Sequence, residues 1–339
     1  MLPWVAEIAI DIGTANTHVA VKDGGEVVRE PSVVAYADRN GQPTAYGTEA
    51  QQMLDQGVSD VEVVHPIVDG VVADYNAGAA MVRHFIHKAL GRRPLFNPLV
   101  VSAHPSAATP VQRRALRQLL RASGAGRVVT IQKSLAAAIG AGLAVDSGDS
   151  QMIIDIGAGT TDAAIVSMGM TSDAISRPLG GQYLDEMIVR GVKRRNNADL
   201  ARHDATELKI ATGAVGNSFS PENGNFSARA DDLRSLGVEI EQIPIVLTEA
   251  ADDIADELSW MLECLPAKVR AHIAGQGAVM SGGTALLRGL YDHIANHIGI
   301  PISRASDPMA CTMLGLQAVL NNLSALSLDG RRVQLHVSG

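Results

Sequence analysis

Asp11 and Asp155, 144 positions apart, are the residues of this chain best placed to do chemistry. Asp11 lies in "AIDIGTANTHVAV" (9–21) and Asp155 in "IIDIGAGTTDAAI" (153–165). Gly13 and Gly157, Thr17 and Thr161, and Ala20 and Ala164 keep the same step, so the segments form an internal repeat. Each copy reads as an apolar strand, an aspartate, a glycine turn and a second strand. The tip of such a hairpin offers backbone N–H groups to phosphate oxygens, and glycine lets them approach closely. Gly13, Thr14, Ala15 and Asn16 supply one cradle, and Gly157, Ala158, Gly159, Thr160 and Thr161 the other. An aspartate at the strand end is placed to hold a metal-bound water. That suits Mg²⁺, an ion that keeps part of its hydration shell. Two hairpins in phase imply duplicated halves that grip phosphates from both sides of a cleft.

Two further segments complete the chemistry. "AVMSGGTALLRGL" (278–290) reads as a buried strand, a turn at Ser281-Gly282-Gly283-Thr284, and an apolar helix. Glycines there let a flat ring or sugar lie against the backbone, so Gly282, Gly283 and Thr284 are the expected nucleoside contacts. In "VTIQKSLAAAIGAGLAV" (129–145), Lys133 stands where a small-residue helix follows a β-rich run. A helix start already favours anions, and an ammonium there adds a full positive charge.

The elements that must position these residues are legible around them. β-rich runs alternate with helical patterns along the chain, which argues for an α/β fold. "TPVQRRALRQLLRASG" predicts a helix capped by Thr109, with Pro110 in its first turn and Gly124 at its stop. Val111, Ala115, Leu116 and Leu119 are expected to line its apolar face. "LTEAADDIADELSWMLECLP" predicts a second helix, packing through Ile254, Leu258, Met261 and Leu262 and ending before Pro266. The polar stretch 214–236 is expected to be a loop or short hairpin on an outer subdomain.

Composition narrows the class. The 339 residues are enough for two ordinary domains or one large two-lobed fold, and 46% of them are hydrophobic. A formal charge of −8 argues against duplex nucleic acid as a partner, because no basic surplus exists to displace counterions. The basic run "VKRRNN" (192–197) is expected to be a solvated helix face. Cys264 and Cys311 are the only cysteines, too few for a disulfide framework or zinc cluster and in keeping with a reducing cytoplasm. "MLPWVAEIAID" lacks the cationic region of a signal peptide, and the apolar run 135–145 is too short to span a bilayer.

In this order, the three motifs resemble those of the actin-like ATPase superfamily, and within it the MreB/Mbl bacterial actins. "DIGTANT" and "DIGAGTTD" look like the two phosphate motifs, and "SGGTALLRGL" like the adenosine motif. "EPSVVAY" (30–36), "HPIVDGVVADY" (65–75), "AAAIGAGL" (136–143) and "GGQYLDEMI" (180–188) are also similar to that family. The resemblance implies two duplicated lobes, each a mixed sheet flanked by helices, with four subdomains around a central cleft for ATP or ADP with Mg²⁺. The expected core subdomains are 1–28 with 73–142 and 313–339, and 143–178 with 248–312. The expected small subdomains are 29–72 and 179–247. Gly181 and Lys209 of "TELKIATG" join the nucleoside contacts. The resemblance also implies filaments of the chain itself at the inner face of the cell membrane, working with cell-wall elongation or cell-shape machinery.

The departures from the family bear on activity. Where the family reads Glu-Glu-Pro before the Ala-rich helix, this chain reads Gln132-Lys133-Ser134. The second acid of that motif resembles the group that orients the attacking water, and a charged lysine cannot accept a hydrogen bond. Three readings stay open: Lys133 clamps nucleotide with slow hydrolysis, Gln132 enters the cleft in its place, or the site no longer holds nucleotide. Gln182 stands where an aspartate is usual, and Ala211 falls near the expected ribose acid. The alternatives in function are a non-hydrolysing adaptor co-assembling with another actin-like protein, and a small-molecule kinase. Finally, Leu95 and Phe96 in "GRRPLFNP" (91–98) match a paired apolar loop that dips into the bilayer in this family, with Arg92 and Arg93 before it and Trp4 as a second contact.

Overall fold

The computed structural model describes residues 5–38, 41–91, 93–212, 214–216 and 242–323. The predicted repeat is the framework of the fold. Strands β1 (Glu7–Ile12), β2 (Asn16–Val21) and β3 (Gly25–Pro31) form an antiparallel meander. Parallel strands β9 (Leu99–His104) and β10 (Arg127–Gln132) extend it, giving a five-stranded sheet in the order β10-β9-β1-β2-β3. The second sheet repeats the plan with β11 (Gln151–Ile156), β12 (Thr161–Ser167), β13 (Met170–Arg177), β14 (Ala278–Ser281) and β15 (Ile302–Arg304), ordered β13-β12-β11-β14-β15. The registers match as well: Asp11 pairs with His18, and Asp155 pairs with Asp162 at the equivalent place.

Smaller pieces sit outside these sheets. β4 (Val34–Tyr36), β5 (Ala45–Tyr46) and β6 (Glu62–Val64) form a three-stranded sheet against helix α1 (Gly47–Asp55). β7 (Ile67–Val68) and β8 (Val71–Val72) form a short hairpin. Helix α2 (Tyr75–Ala89), capped by the Asp74 carboxylate, and helix α3 (Pro110–Ala122) pack with the apolar face of the first sheet. The predicted capping box of α3 is present, with Thr109 and Gln112 exchanging bonds, and Gly124 follows the helix at φ +105°.

Helix α4 (Lys133–Gly140) lies between the two halves. Its Ala136, Ala137 and Ala138 are fully buried against helix α10 (Cys311–Asn321). The two backbones touch: a Cβ on Gly140 would lie 1.8 Å from the Cys311 carbonyl oxygen, and one on Gly315 would lie 1.8 Å from that of Ala136. The low aromatic content thus has a structural counterpart in small-residue helix contact. In the second half, α5 (Gly181–Asn196), α6 (Arg202–Thr212), α7 (Ile243–Cys264), α8 (Ala267–Gln276) and α9 (Leu290–Ile298) cover the other sheet.

Three expectations need correction. Val111 is 76% exposed rather than part of the α3 core face. At ~100° per residue it lies about 130° around the helix from the centre of the buried Leu116, Leu119 and Leu120. The motif 278–290 does not pass directly into an α-helix; a 3₁₀ turn over Gly283–Leu286 intervenes before α9. The predicted α7 begins earlier than the sequence pattern suggested, with Ile243 and Pro244 buried in its first turn. Most of the 214–236 stretch lies outside the described residues, as do Trp4 and Arg92.

Candidate functional site

The tips of the two repeated hairpins meet across a cavity of about 730 Å³. Gly13 N donates to the Asn16 carbonyl at 3.0 Å and Gly157 N to the Thr160 carbonyl at 2.8 Å, so both turns close in the same way. They approach each other closely, because a Cβ on Gly159 would lie 2.4 Å from Thr14 Oγ1. Thr14 Oγ1 also accepts a hydrogen bond from Gly70 N at 3.0 Å, which ties the β7–β8 turn to the first hairpin.

The nucleoside side of the cavity is built on the second hairpin. The start of α5 latches onto its tip through Gly181 N to the Gly157 carbonyl and Gln182 N to the Ala158 carbonyl, at 2.9 and 2.7 Å. Thr284 Oγ1 donates to the same Gly157 carbonyl at 2.9 Å. Gly282, at φ +90°, lets the strand-to-turn backbone pass so close that a Cβ would stand 2.2 Å from the Ile156 carbonyl oxygen. Lys209 Nζ reaches back from α6 to the Gly181 carbonyl and to Asp185 Oδ1, both at 2.7 Å.

Most residues expected at the site therefore share one cavity. Asp11, Gly13, Thr14, Ala15 and Asn16 line it from one side, and Asp155, Gly157, Ala158, Gly159 and Thr160 from the other. Lys133, Gly181, Lys209, Gly282, Gly283 and Thr284 complete the lining. Two do not join them. Thr161 is 1% exposed and spends its hydroxyl on the Leu179 carbonyl, so it is a structural residue of β12. Gln132 turns away as well, donating its side-chain amide to the Ser106 carbonyl at 3.1 Å. Leu95 and Phe96 lie elsewhere, 87% and 55% exposed.

The charge at the cleft floor is the decisive feature. Lys133 Nζ lies 2.9 Å from Asp155 Oδ2. Asp155 is 2% exposed, and its other oxygen accepts a 2.8 Å hydrogen bond from Ser281 Oγ. Burial by itself would push the lysine's pKa down. Asp155, Asp11 and Asp162 together outweigh that and hold it above the ordinary lysine value. Asp11 feels the same surroundings with the opposite sign: burial raises its pKa, and Lys133 and His18 pull it part of the way back.

The Asp155 carboxylate in this arrangement does not fit the expected Mg²⁺. Both Asp155 oxygens are engaged, one by a hydroxyl and one by an ammonium. Mg²⁺ demands close octahedral oxygens, and a dication here would face the lysine's charge at short range. The metal role expected of Asp155 is therefore replaced by an ion pair, while Asp11 lines the cavity beside it.

Sequence reading missed His104, which lines the cavity from the end of β9. Its Nδ1 lies 2.9 Å from the Pro105 carbonyl, and burial lowers its pKa despite that hydrogen bond. It also missed Asp185, buried beneath Gly181 and held by Thr206 Oγ1 at 2.8 Å as well as by Lys209. The Asp185–Lys209 pairing spans two helices, so no local spacing signals it.

Duplicated sheets of one topology, with matching hairpins facing each other over a cleft, define an actin-like fold. Solved structures of that class superpose over nearly the whole chain. "MreB 5 of Spiroplasma citri bound to AMPPNP" aligns with a TM-score of 0.83 and 28% identity, covering 94% of this chain and 97% of that one. A MamK double helical filament aligns at 0.74 with 19% identity, covering 92% and 97%, which speaks for the fold alone. Among curated sequences, the cell shape-determining protein Mbl of Bacillus subtilis is 32% identical over 95% of this chain and 98% of its own length. The cell shape-determining protein MreB of Escherichia coli is 35% identical over 91% of each chain. Residues 5–328 match the MreB/Mbl protein family, and the chain belongs to it.

Proposed function

We propose that this chain is a filament-forming cytoskeletal protein whose assembly responds to ATP or ADP in the cleft, and that it hydrolyses ATP slowly or not at all. The observation that carries the reading is the meeting of both hairpin tips over the Lys133–Asp155 pair. Backbone amides of Thr14 to Asn16 and of Ala158 to Thr160 would hold phosphate oxygens, the Gly13 and Gly157 amides being spent on closing the two turns. Gly181, Lys209, Gly282, Gly283 and Thr284 would face the nucleoside. The related MreB5 of Spiroplasma citri has been crystallised bound to ADP, which supports nucleotide in the equivalent place here.

The slow-hydrolysis part follows from the start of α4. Attack on a phosphoryl group by water needs an acceptor that orients the water. Lys133 is an ammonium with donors only, and Gln132, which donates its side-chain N–H to the Ser106 carbonyl, does not line the cavity. Mg²⁺ forms no part of this reading.

The four-part division expected from the sequence belongs to the same proposal, with 29–72 and 179–247 as the small subdomains. So do attachment to the inner membrane face through Leu95 and Phe96, and work with cell-shape or cell-wall machinery. The names of the curated relatives support the last point. No helix among the described residues is long and apolar enough to cross a membrane, so attachment would be peripheral. Co-assembly with another actin-like protein is the second reading, favoured by the same Lys133 substitution. Electron microscopy of the purified protein with ATP, with ADP and without nucleotide tests the proposal. Nucleotide should promote or tighten filaments; indifference to nucleotide would overturn it.

A further inference from the structure

The structure assigns to Lys133 the place of the divalent cation: we propose that this cleft holds nucleotide without a bound metal, using the lysine ammonium as a tethered counter-ion. The inference rests on the nucleotide reading above and concerns how that same site balances charge.

Three observations carry it. First, the ammonium lies against Asp155 Oδ2 at 2.9 Å, on the aspartate expected to hold metal-bound water. That carboxylate is 2% exposed, so the ammonium meets a buried charge. Second, Nζ stands 3.3 Å from the position a Cβ on Gly157 would take. The charge is therefore delivered to the tip of the second phosphate hairpin. Third, Asp162, paired with Asp155 across the second hairpin, is closed to a metal. Asp162 is fully buried and satisfied by Ser106 N and Thr160 Oγ1, each at 2.8 Å, and by Ser176 Oγ.

The chemistry of the two cations explains the consequence. A lysine ammonium has three donors, and the Asp155 contact leaves others free for phosphate oxygens. Its stem is anchored at the start of a buried helix, so its position does not depend on metal concentration. Mg²⁺ would have to displace it or share the same carboxylate at close range, which Coulomb repulsion opposes. The lysine also joins α4 to β11, so nucleotide phosphates meeting it would engage both halves of the molecule.

The test is calorimetric titration of the full chain with ATP and with ADP, in buffer containing Mg²⁺ and in buffer containing EDTA. Wild-type affinity is expected to agree between the two buffers to within about threefold. Lys133→Gln should lose roughly 30-fold or more in EDTA, the usual scale for removing one partner of a buried charge pair, and Mg²⁺ should restore part of it. Lys133→Arg, which keeps the charge, should retain metal-free binding. Wild-type binding that vanishes in EDTA and returns with Mg²⁺ would overturn the inference while leaving the nucleotide reading intact. Absence of binding of either nucleotide in both buffers would overturn both. The wild-type titrations decide the matter even where a variant fails to fold.

Discussion

Lys133→Met removes the positive charge paired with Asp155 and should destabilise the monomer by about 3–5 kcal/mol, the cost of leaving a buried charge without its partner. The geometry supports a value in that range. The pair is 2.9 Å apart, with the aspartate side chain 2% and the lysine side chain 19% exposed. At an effective dielectric of ~20 the attraction over that distance is about 6 kcal/mol, and relaxation of the cleft recovers part of the loss. The loss should also depend on pH. Burial already holds the Asp11 carboxyl above its ordinary 3.8. A carboxyl with a raised folded pKa binds more protons folded than unfolded, so it costs stability as pH climbs through the window between those values. Without Lys133 to pull it down, that window widens upward. The deficit of the variant should therefore be largest at neutral pH and shrink on acidification as the Asp11 carboxyl protonates. Urea unfolding of wild type, Lys133→Met, Asp155→Asn and the double variant, at neutral and mildly acidic pH, measures all of this. The two single changes should be strongly non-additive. Additivity to within about 0.5 kcal/mol, or a deficit independent of pH, would show that the ion pair does not hold in solution.

Other perturbations test separate parts of the account. Lys133→Glu should raise phosphate release above wild type, because it supplies the acceptor that the water lacks; release by wild type at its relatives' rates that is abolished by Gln132→Ala would instead assign the role to Gln132. Gly315→Ala should lower the melting temperature, since its new Cβ would lie 1.8 Å from the Ala136 carbonyl oxygen and overpacking costs typically 1–3 kcal/mol; an unchanged melt would mean that the α4–α10 contact is looser than described. Filaments should co-sediment with anionic liposomes while monomers hardly do. Burying Leu95 and Phe96 contributes roughly 1.5–3 kcal/mol each, with on the order of 1 kcal/mol from a nearby arginine, and only repetition along a filament makes that strong. Leu95→Ser with Phe96→Ser should abolish the binding, and unchanged co-sedimentation would rule the loop out as the anchor.

Much of the fold was legible because its two halves repeat a pattern with strong local signals. The strand, aspartate and glycine turn around Asp11 recur around Asp155, and both become the paired hairpins of the cleft. The Thr109 cap and Gly124 stop of α3 were equally local. What escaped the sequence was set by tertiary approach. The start of α4 could be read at Lys133, but its pairing partner lies across the molecule on β11, and no spacing within either segment encodes that meeting. Gln132 and Thr161 were drawn into the site by motif position, yet β-strand geometry sends their side chains to backbone carbonyls instead. Val111 was read as a core residue because it is apolar; the helical wheel, worked from the leucines that pack, puts it on the solvent side.

A crystal structure of the chain grown with saturating ATP tests the central claim most directly. The account predicts a nucleotide between the two hairpin tips, with phosphate oxygens on the amides of Thr14 to Asn16 and Ala158 to Thr160, and its nucleoside against Gly282 and Gly283. The Lys133 ammonium should touch those phosphates. An empty cleft at saturating ATP, or nucleotide bound away from both hairpins, would contradict it.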